Sequence, residues 1–310
     1  MTDVLQLLSD RRRQGSTPGD RSDDARLVLL IEGGSSRGAY SSGMTVAIER
    51  LGLLPAFDAV YGSSAGALNA AWLLCGRAES TLRAWWTPAI METTINPRRV
   101  LRRLPVIDTR HLIHTVYTEV MPMGFQEVLD NPVDFHPIAT DALTGAAVDL
   151  HDRIVDQASL QTALRASTAM PFLAGEPVEI GGRGYVDAGL SEGVPVRTAL
   201  AQQATHVVAL RTRRTDETST APSRAQRMLV ARWFARYAPG AYELWLHSKE
   251  LRTEEERLLA EHPATLQIRP PLGSARVGRT ERRPGPLRVA AETGRDAALE
   301  VLESAAEVAR

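Results

Sequence analysis

Apolar residues in this chain gather in short unbroken runs, and glycines follow them closely. Arg26-Leu27-Val28-Leu29-Leu30-Ile31 is the first strong run, and it predicts a strand buried on both faces. Glu32 to Gly38 then reads as a loop, and Ala39 to Leu51 as a helix stopped by Gly52. Phe57 to Tyr61 predicts a second strand and Gly62 to Gly66 a tight turn. Ala67 to Cys75 is a small-residue helix ending near Gly76. This β-loop-α-β-turn-α order predicts parallel strands joined by a right-handed crossover.

Further along, the pattern is less regular. Residues 79–130 read as helical, interrupted by Pro88, Pro97, Pro105 and Pro122. His136 to Asp141 and Ala146 to Leu150 are candidate strands around a turn at Thr144-Gly145. Ser159 to Ser167 is a predicted helix, Tyr185-Val186-Asp187 opens a loop, and Thr205 to Leu210 is another apolar strand. Residues 211–224 are polar and predict a mobile surface loop that could act as a lid. Two helices split near Pro239-Gly240 are predicted over 225–260. A strand at Thr265 to Ile268 and a helix from about Leu287 to Val308 complete the chain, and no internal repeat is visible. Residues 1–24, rich in Ser, Gly, Asp and Arg, predict a flexible arm, which leaves 25–310 as one α/β domain with a helical elaboration from about 223.

Composition excludes several classes. The 310 residues are 44% hydrophobic and 24% charged, with a net charge of −1, so there is no electrostatic case for nucleic acid. Cys75 is the single cysteine, which rules out an internal disulfide and favours a reducing, cytoplasmic setting. At the N-terminus Arg11-Arg12-Arg13 follows Leu5, Leu7 and Leu8 instead of preceding them, a poor signal peptide. No apolar run is long enough to span a bilayer. Oligomeric state is not legible.

Three segments carry candidate chemistry. Gly62-Ser63-Ser64-Ala65-Gly66 is a G-x-S-x-G between a strand and a helix. Small residues there let the chain turn sharply and lift the serine oxygen above the sheet edge, beside a helix N-terminus. Alone, the pentapeptide is equally well a small-residue turn. Gly33-Gly34-Ser35-Ser36-Arg37-Gly38 can aim backbone N–H groups at an anion, either a phosphate or an acyl-transfer oxyanion. It lacks both the Gly-Lys-Ser/Thr ending and the G-x-G-x-x-G of nucleotide loops. Tyr185-Val186-Asp187-Ala188-Gly189-Leu190 offers an acid before small residues, in most proteins a plain turn. Asp58, Asp141 and Asp149 show no metal-ligand spacing, and no cofactor is called for.

Taken in order, Glu32 to Gly38, Gly62 to Gly66 and Asp187 to Gly189 resemble the patatin-like phospholipases. Ala166 to Phe172 is similar to that family's approach to its aspartate, and Ser191 to Pro195 to the run after it. The resemblance covers roughly residues 26–210. It implies a three-layer α/β/α fold with a mostly parallel sheet. It also implies a histidine-free dyad, with Ser64 as nucleophile, Asp187 as base and acid, and oxyanion donors near Gly34 and Ser35. Two positions depart from the pattern. Ser35 stands where the family has its third glycine, although serine enters positive φ less readily, and Ala188 stands where glycine is usual.

The implied activity is hydrolysis of phospholipid or simpler acyl esters. Transfer of the acyl group to another alcohol or thiol, and catalytically weak lipid binding, stay open. A Ser-His-Asp triad would draw on His206, His247 or His262; His111, His114, His136 and His151 precede the acid. Arg37 orders its loop or meets an anionic substrate. Arg224 to Tyr237, basic and aromatic at helical spacing, is an amphipathic helix packed on the domain or lying on anionic lipid. Trp85-Trp86 lines an acyl pocket or fills a core.

Overall fold

A computed structural model describes residues 3–217 and 222–307. Its framework is one sheet of eight strands: β1 Leu27–Ile31, β2 Ala59–Ser63, β3 Asp134–Asp141, β4 Ala147–Asp149, β5 Val178–Ile180, β6 Arg183–Asp187, β7 His206–Leu210 and β8 Thr265–Ile268. The spatial order is β5-β6-β3-β2-β1-β7-β8, with β4 paired to β3. Strands β3, β2, β1, β7 and β8 run parallel. Strands β6 and β4 are antiparallel to β3, and β5 to β6.

The continuous apolar runs are explained by helices on both faces. Side chains alternate across a strand, and here both sets are buried. Leu27, Leu29, Ile31 and Val60 pack on one side with Met44, Ile48, Ala67 and Leu302. Val28, Leu30, Ala59 and Tyr61 pack on the other with Val194, Val196, Ala199 and Leu259. The first layer holds the helices Gly38–Arg50, Ala65–Leu74 and Pro284–Glu307; the second holds Val196–Ala201 and Ser248–Glu261. Glycine lets two helices of the first layer touch backbone to backbone: a Cβ on Gly43 would lie 1.8 Å from the Ala291 carbonyl oxygen, and one on Gly294 2.0 Å from that of Tyr40.

Several expectations are corrected. The arm expected over residues 1–24 contains a helix, Val4–Gln14, ended by Gly15 in the left-handed region. Val4, Leu7 and Leu8 enter the core. Arg11 is buried, with ion pairs to Asp23 (2.7 Å) and Asp58 (2.8 Å) and a donated bond to the Ala56 carbonyl (2.8 Å). Local composition suggested solvated charge, because these partners lie 12 to 47 residues away.

Strand β2 starts and ends two residues later than expected, so Gly62 and Ser63 belong to the strand. Asp187 closes a β5–β6 hairpin instead of opening a loop. Residues 79–130 break into short helices and a wide π-type segment, Leu112–Val120. Ser35–Arg37 is a single 3-10 turn before the helix at Gly38. Within the polar stretch 211–224, residues 218–221 lie outside the described residues, as does Val308.

Candidate active site

Strand register brings Ser64 to Asp187. Strand β3 is flanked by β2 and β6. Ser63 pairs with Ile138 across one side, so Ser64 is level with Ala139, and Ala139 pairs with Asp187 across the other. Their side chains close the gap: Ser64 Oγ donates to Asp187 Oδ2 at 2.6 Å. Both residues are buried.

Ser64 is held in strained backbone, φ 55° and ψ −125°, between β2 and the helix Ala65–Leu74. Such a sparsely populated positive-φ conformation costs an L-residue roughly 1–3 kcal/mol, and the surroundings impose it. The Ser64 N–H donates to Ser167 Oγ (2.9 Å), and Ser63 Oγ donates to the Glu192 carbonyl (2.7 Å). A Cβ on Gly66 would lie 2.1 Å from the Ile31 carbonyl oxygen, so only glycine lets the new helix start this close to β1.

Asp187 Oδ1 accepts the Gly189 N–H at 2.8 Å, and Thr140 Oγ1 donates to the Asp187 carbonyl at 2.9 Å. Burial pushes the Asp187 carboxyl above the ordinary carboxylate range; bonds from Ser64 and Gly189 and the charge of Arg279 pull it back only in part. Ala188 lies outside the left-handed region, so its methyl group is no obstacle there.

In the glycine-rich loop the N–H groups divide. Gly33 donates to the Gly193 carbonyl, Ser36 to Arg279 and Arg37 to Gly34. Those of Gly34 and Ser35 make no hydrogen bond among the described residues, which narrows the six-residue loop Gly33 to Gly38 to two available donors. Ser35, the departure from glycine, sits at φ 52°, a conformation that glycine would adopt without strain. The loop follows β1, where the chain order reverses between β1 and β7 and open α/β sheets form a crevice.

Two cavities meet at Ser35, Ser64 and Met170. The first is apolar, lined by Leu68, Trp72, Trp85, Ile90, Ile107 and Tyr117 among others. Trp85 therefore faces the cavity, and both Trp85 and Trp86 pack against the cluster that holds Ile95 and Leu287. The second contains Asp187 together with Arg37, Arg213, Arg252 and Arg279.

No histidine lines either cavity. His206 contacts Thr205 Oγ1, His262 contacts Thr265 Oγ1, and His247 bonds the Glu243 carbonyl in the preceding helical turn. His136 stacks between Tyr61 and His151 and pairs with Asp149 at 2.6 Å. Asp141 caps a turn through Leu143 and Thr144. Among the described residues no group of three or more His, Cys, Asp or Glu side chains is placed to hold a metal ion. No helix among them is long and apolar enough to cross a membrane.

The pattern of residues assigns no role to Ser167, Thr140, Gly193 or Glu255, although Ser167 lies in the Ala166–Phe172 segment and Gly193 in Ser191–Pro195. Their contacts are remote in sequence: the Gly193 N–H, for example, donates to Glu255 Oε1 at 2.6 Å.

The family model described as patatin-like phospholipase matches residues 29–200. Among curated proteins, the uncharacterized protein YjjU of Escherichia coli (strain K12) is 26% identical over 233 residues, 73% of this chain and 59% of YjjU. The chain thus spans less than two thirds of that relative. Among solved structures, VipD from Legionella pneumophila aligns over 91% of this chain and 67% of its own, with 13% identity and a TM-score of 0.46.

Proposed function

Because the chain belongs to the patatin-like phospholipase family, we propose that it cleaves acyl esters of lipids through an acyl-enzyme on Ser64. The observation that carries this reading is the 2.6 Å bond from Ser64 Oγ to Asp187 Oδ2 at the mouth of an apolar cavity. In the reaction Ser64 Oγ bonds to the ester carbonyl carbon as its proton passes to Asp187. The carbonyl oxygen takes up negative charge opposite the N–H groups of Gly34 and Ser35. The carbon–oxygen bond to the leaving alcohol breaks, and Asp187 returns the proton to that alcohol. Water then attacks the acyl-serine, again losing its proton to Asp187, and Ser64 regains its hydrogen as the acid departs.

Desolvation suits Asp187 to this work, since a carboxylate with a raised pKa is a stronger base. The acyl chain lies in the cavity of Leu68, Trp72 and Trp85. The helix Arg224–Tyr237 meets lipid at the entrance: Val230 and Phe234 are buried, while Met228 and Leu229 are 81% and 82% exposed. That helix carries four arginines and no acid, a face suited to an anionic surface.

Fluorophosphonate labelling tests the nucleophile. Labelling of the wild type and none of Ser64→Ala is expected; equal labelling of both removes Ser64 from the role. Release of the acyl group to water, measured against transfer to an added alcohol or thiol, distinguishes hydrolase from acyltransferase.

A further inference from the structure

The second cavity shares Ser35, Ser64 and Met170 with the apolar one and also holds Asp187, yet its wall is charged. Three of its arginines arise outside the residues that the family model matches. Arg213 follows β7, and its Nε stands 3.6 Å from Glu32 Oε1. Arg252 lies on the helix Ser248–Glu261, three residues before Glu255, whose Oε1 accepts the Gly193 N–H. Arg279 is tied to the glycine-rich loop, its carbonyl accepting both the Ser36 N–H (3.3 Å) and Ser36 Oγ (3.0 Å). Arg37 of the loop itself is the fourth.

Four guanidiniums and three acids, Glu32, Asp187 and Glu255, line this cavity. Glu32 is also committed to Arg211 Nε (3.0 Å) and the Thr212 N–H (2.7 Å). Glu255 is buried beside Glu192 and is held in its neutral form, pushed up to about 8. Burial and then the neighbouring guanidiniums push Arg37 and Arg252 down, to about 9 and about 10. A guanidinium keeps its proton in proteins, so that direction reflects charge that is buried first and crowded second.

We propose that this cavity is a head-group subsite that selects acyl esters carrying a terminal phosphate, a phosphomonoester dianion, over those with a neutral or zwitterionic head. Guanidinium forks match phosphate oxygens in pairs, and a quaternary ammonium would meet four like charges. The proposal rests on the reading of Ser64 as the acyl-accepting serine, because the subsite matters only if the ester carbonyl reaches that oxygen.

Equilibrium binding to the full-length Ser64→Ala protein tests it, using a short-chain monoacylglycerol phosphate, the matching monoacylglycerol and inorganic phosphate as probes. The phosphate lipid should bind at least about tenfold tighter than its neutral twin. Arg213→Gln and Arg252→Gln should each reduce that preference several-fold, with the fold retained by circular dichroism and unchanged affinity for the neutral lipid, and Arg252→Lys should restore part of it. Equal affinity for the two lipids, or variants that weaken both alike, overturns the subsite. Inorganic phosphate binding as tightly as the phosphate lipid also overturns it as a head-group site. Turnover of both the phosphate and the neutral ester by protein retaining Ser64 is measured separately: absence of both, with the binding preference intact, removes the hydrolase reading and leaves the subsite standing.

Discussion

Ser64 Oγ and Asp187 Oδ2 stand 2.6 Å apart although 123 residues separate them in sequence. Strand β3 sets that distance, because it pairs with β2, which ends at Ser63 just before Ser64, and with β6, which ends at Asp187. Replacing Ser64 by Ala is expected to lower ester turnover at least about 10³-fold, and Asp187→Asn about 10²–10⁴-fold. Because Asp187 must be ionised to accept a proton and burial raises its pKa, kcat/KM should fall with decreasing pH before ordinary carboxylates titrate. A pH–rate profile checks this; a profile flat down to pH 4, about the ordinary aspartate value, is inconsistent with Asp187 as the base.

Ser35 occupies φ 52° where glycine would be unstrained. Ser35→Gly should therefore leave stability within about 1 kcal/mol, gaining from relieved strain and losing to chain entropy. Turnover should persist, because the backbone N–H remains. Ser35→Val should lose both stability and turnover, since a β-branched residue tolerates this conformation poorly. Urea melts and initial rates on the two variants test the pair.

Gly66 is a steric requirement of the turn. Its Cβ would lie 2.1 Å from a backbone oxygen that has no flexible side chain to move. Gly66→Ala is expected to cost at least about 2 kcal/mol and to lower kcat, since the shift passes directly to Ser64. Unchanged melting would show that β1 and the helix can separate freely.

Arg11 ties the N-terminal helix to Asp23 and Asp58 in a buried site. Truncating one partner of such a pair leaves buried charge uncompensated, so Arg11→Ala should destabilise by about 3–5 kcal/mol. Turnover at low temperature should be retained, because the pair is remote from both cavities. Thermal melting with a parallel rate assay measures the two effects.

Glu255 links stability to pH. Its pKa rises from an ordinary 4.5 to about 8, first through burial and then through Glu192. Between those values the folded chain holds a proton that the unfolded chain has lost. Its contribution is therefore fully present below about pH 4.5 and is lost as pH rises through about 8. Glu192 and Asp187, also raised, add slopes of the same sign. Glu255→Gln should flatten the decline, with each pKa unit worth about 1.4 kcal/mol. Urea unfolding of both proteins across pH 5–8.5 tests this; identical slopes would mean that Glu255 ionises normally.

Gly33 to Gly38, Gly62 to Gly66 and Asp187 were all legible in the sequence, along with the strands that precede the first two. Such features are local: a glycine where the backbone turns sharply, or a run of apolar residues where a strand is covered on both faces, is written into neighbouring positions. Arg11 and the arginine-lined cavity were not legible in the same way. An arginine next to a serine or an aspartate reads as solvated surface until its partner is known, and here the partners come from segments tens to hundreds of residues away. The sequence by itself determined which side chains are chemically competent and where the chain must bend. Tertiary structure alone decided that Ser64 faces Asp187 and not a histidine, that two N–H groups of the glycine-rich loop remain available, and that Arg213, Arg252 and Arg279 join Arg37. Those outcomes depend on strand register and on helices packed between remote segments, which no local pattern encodes.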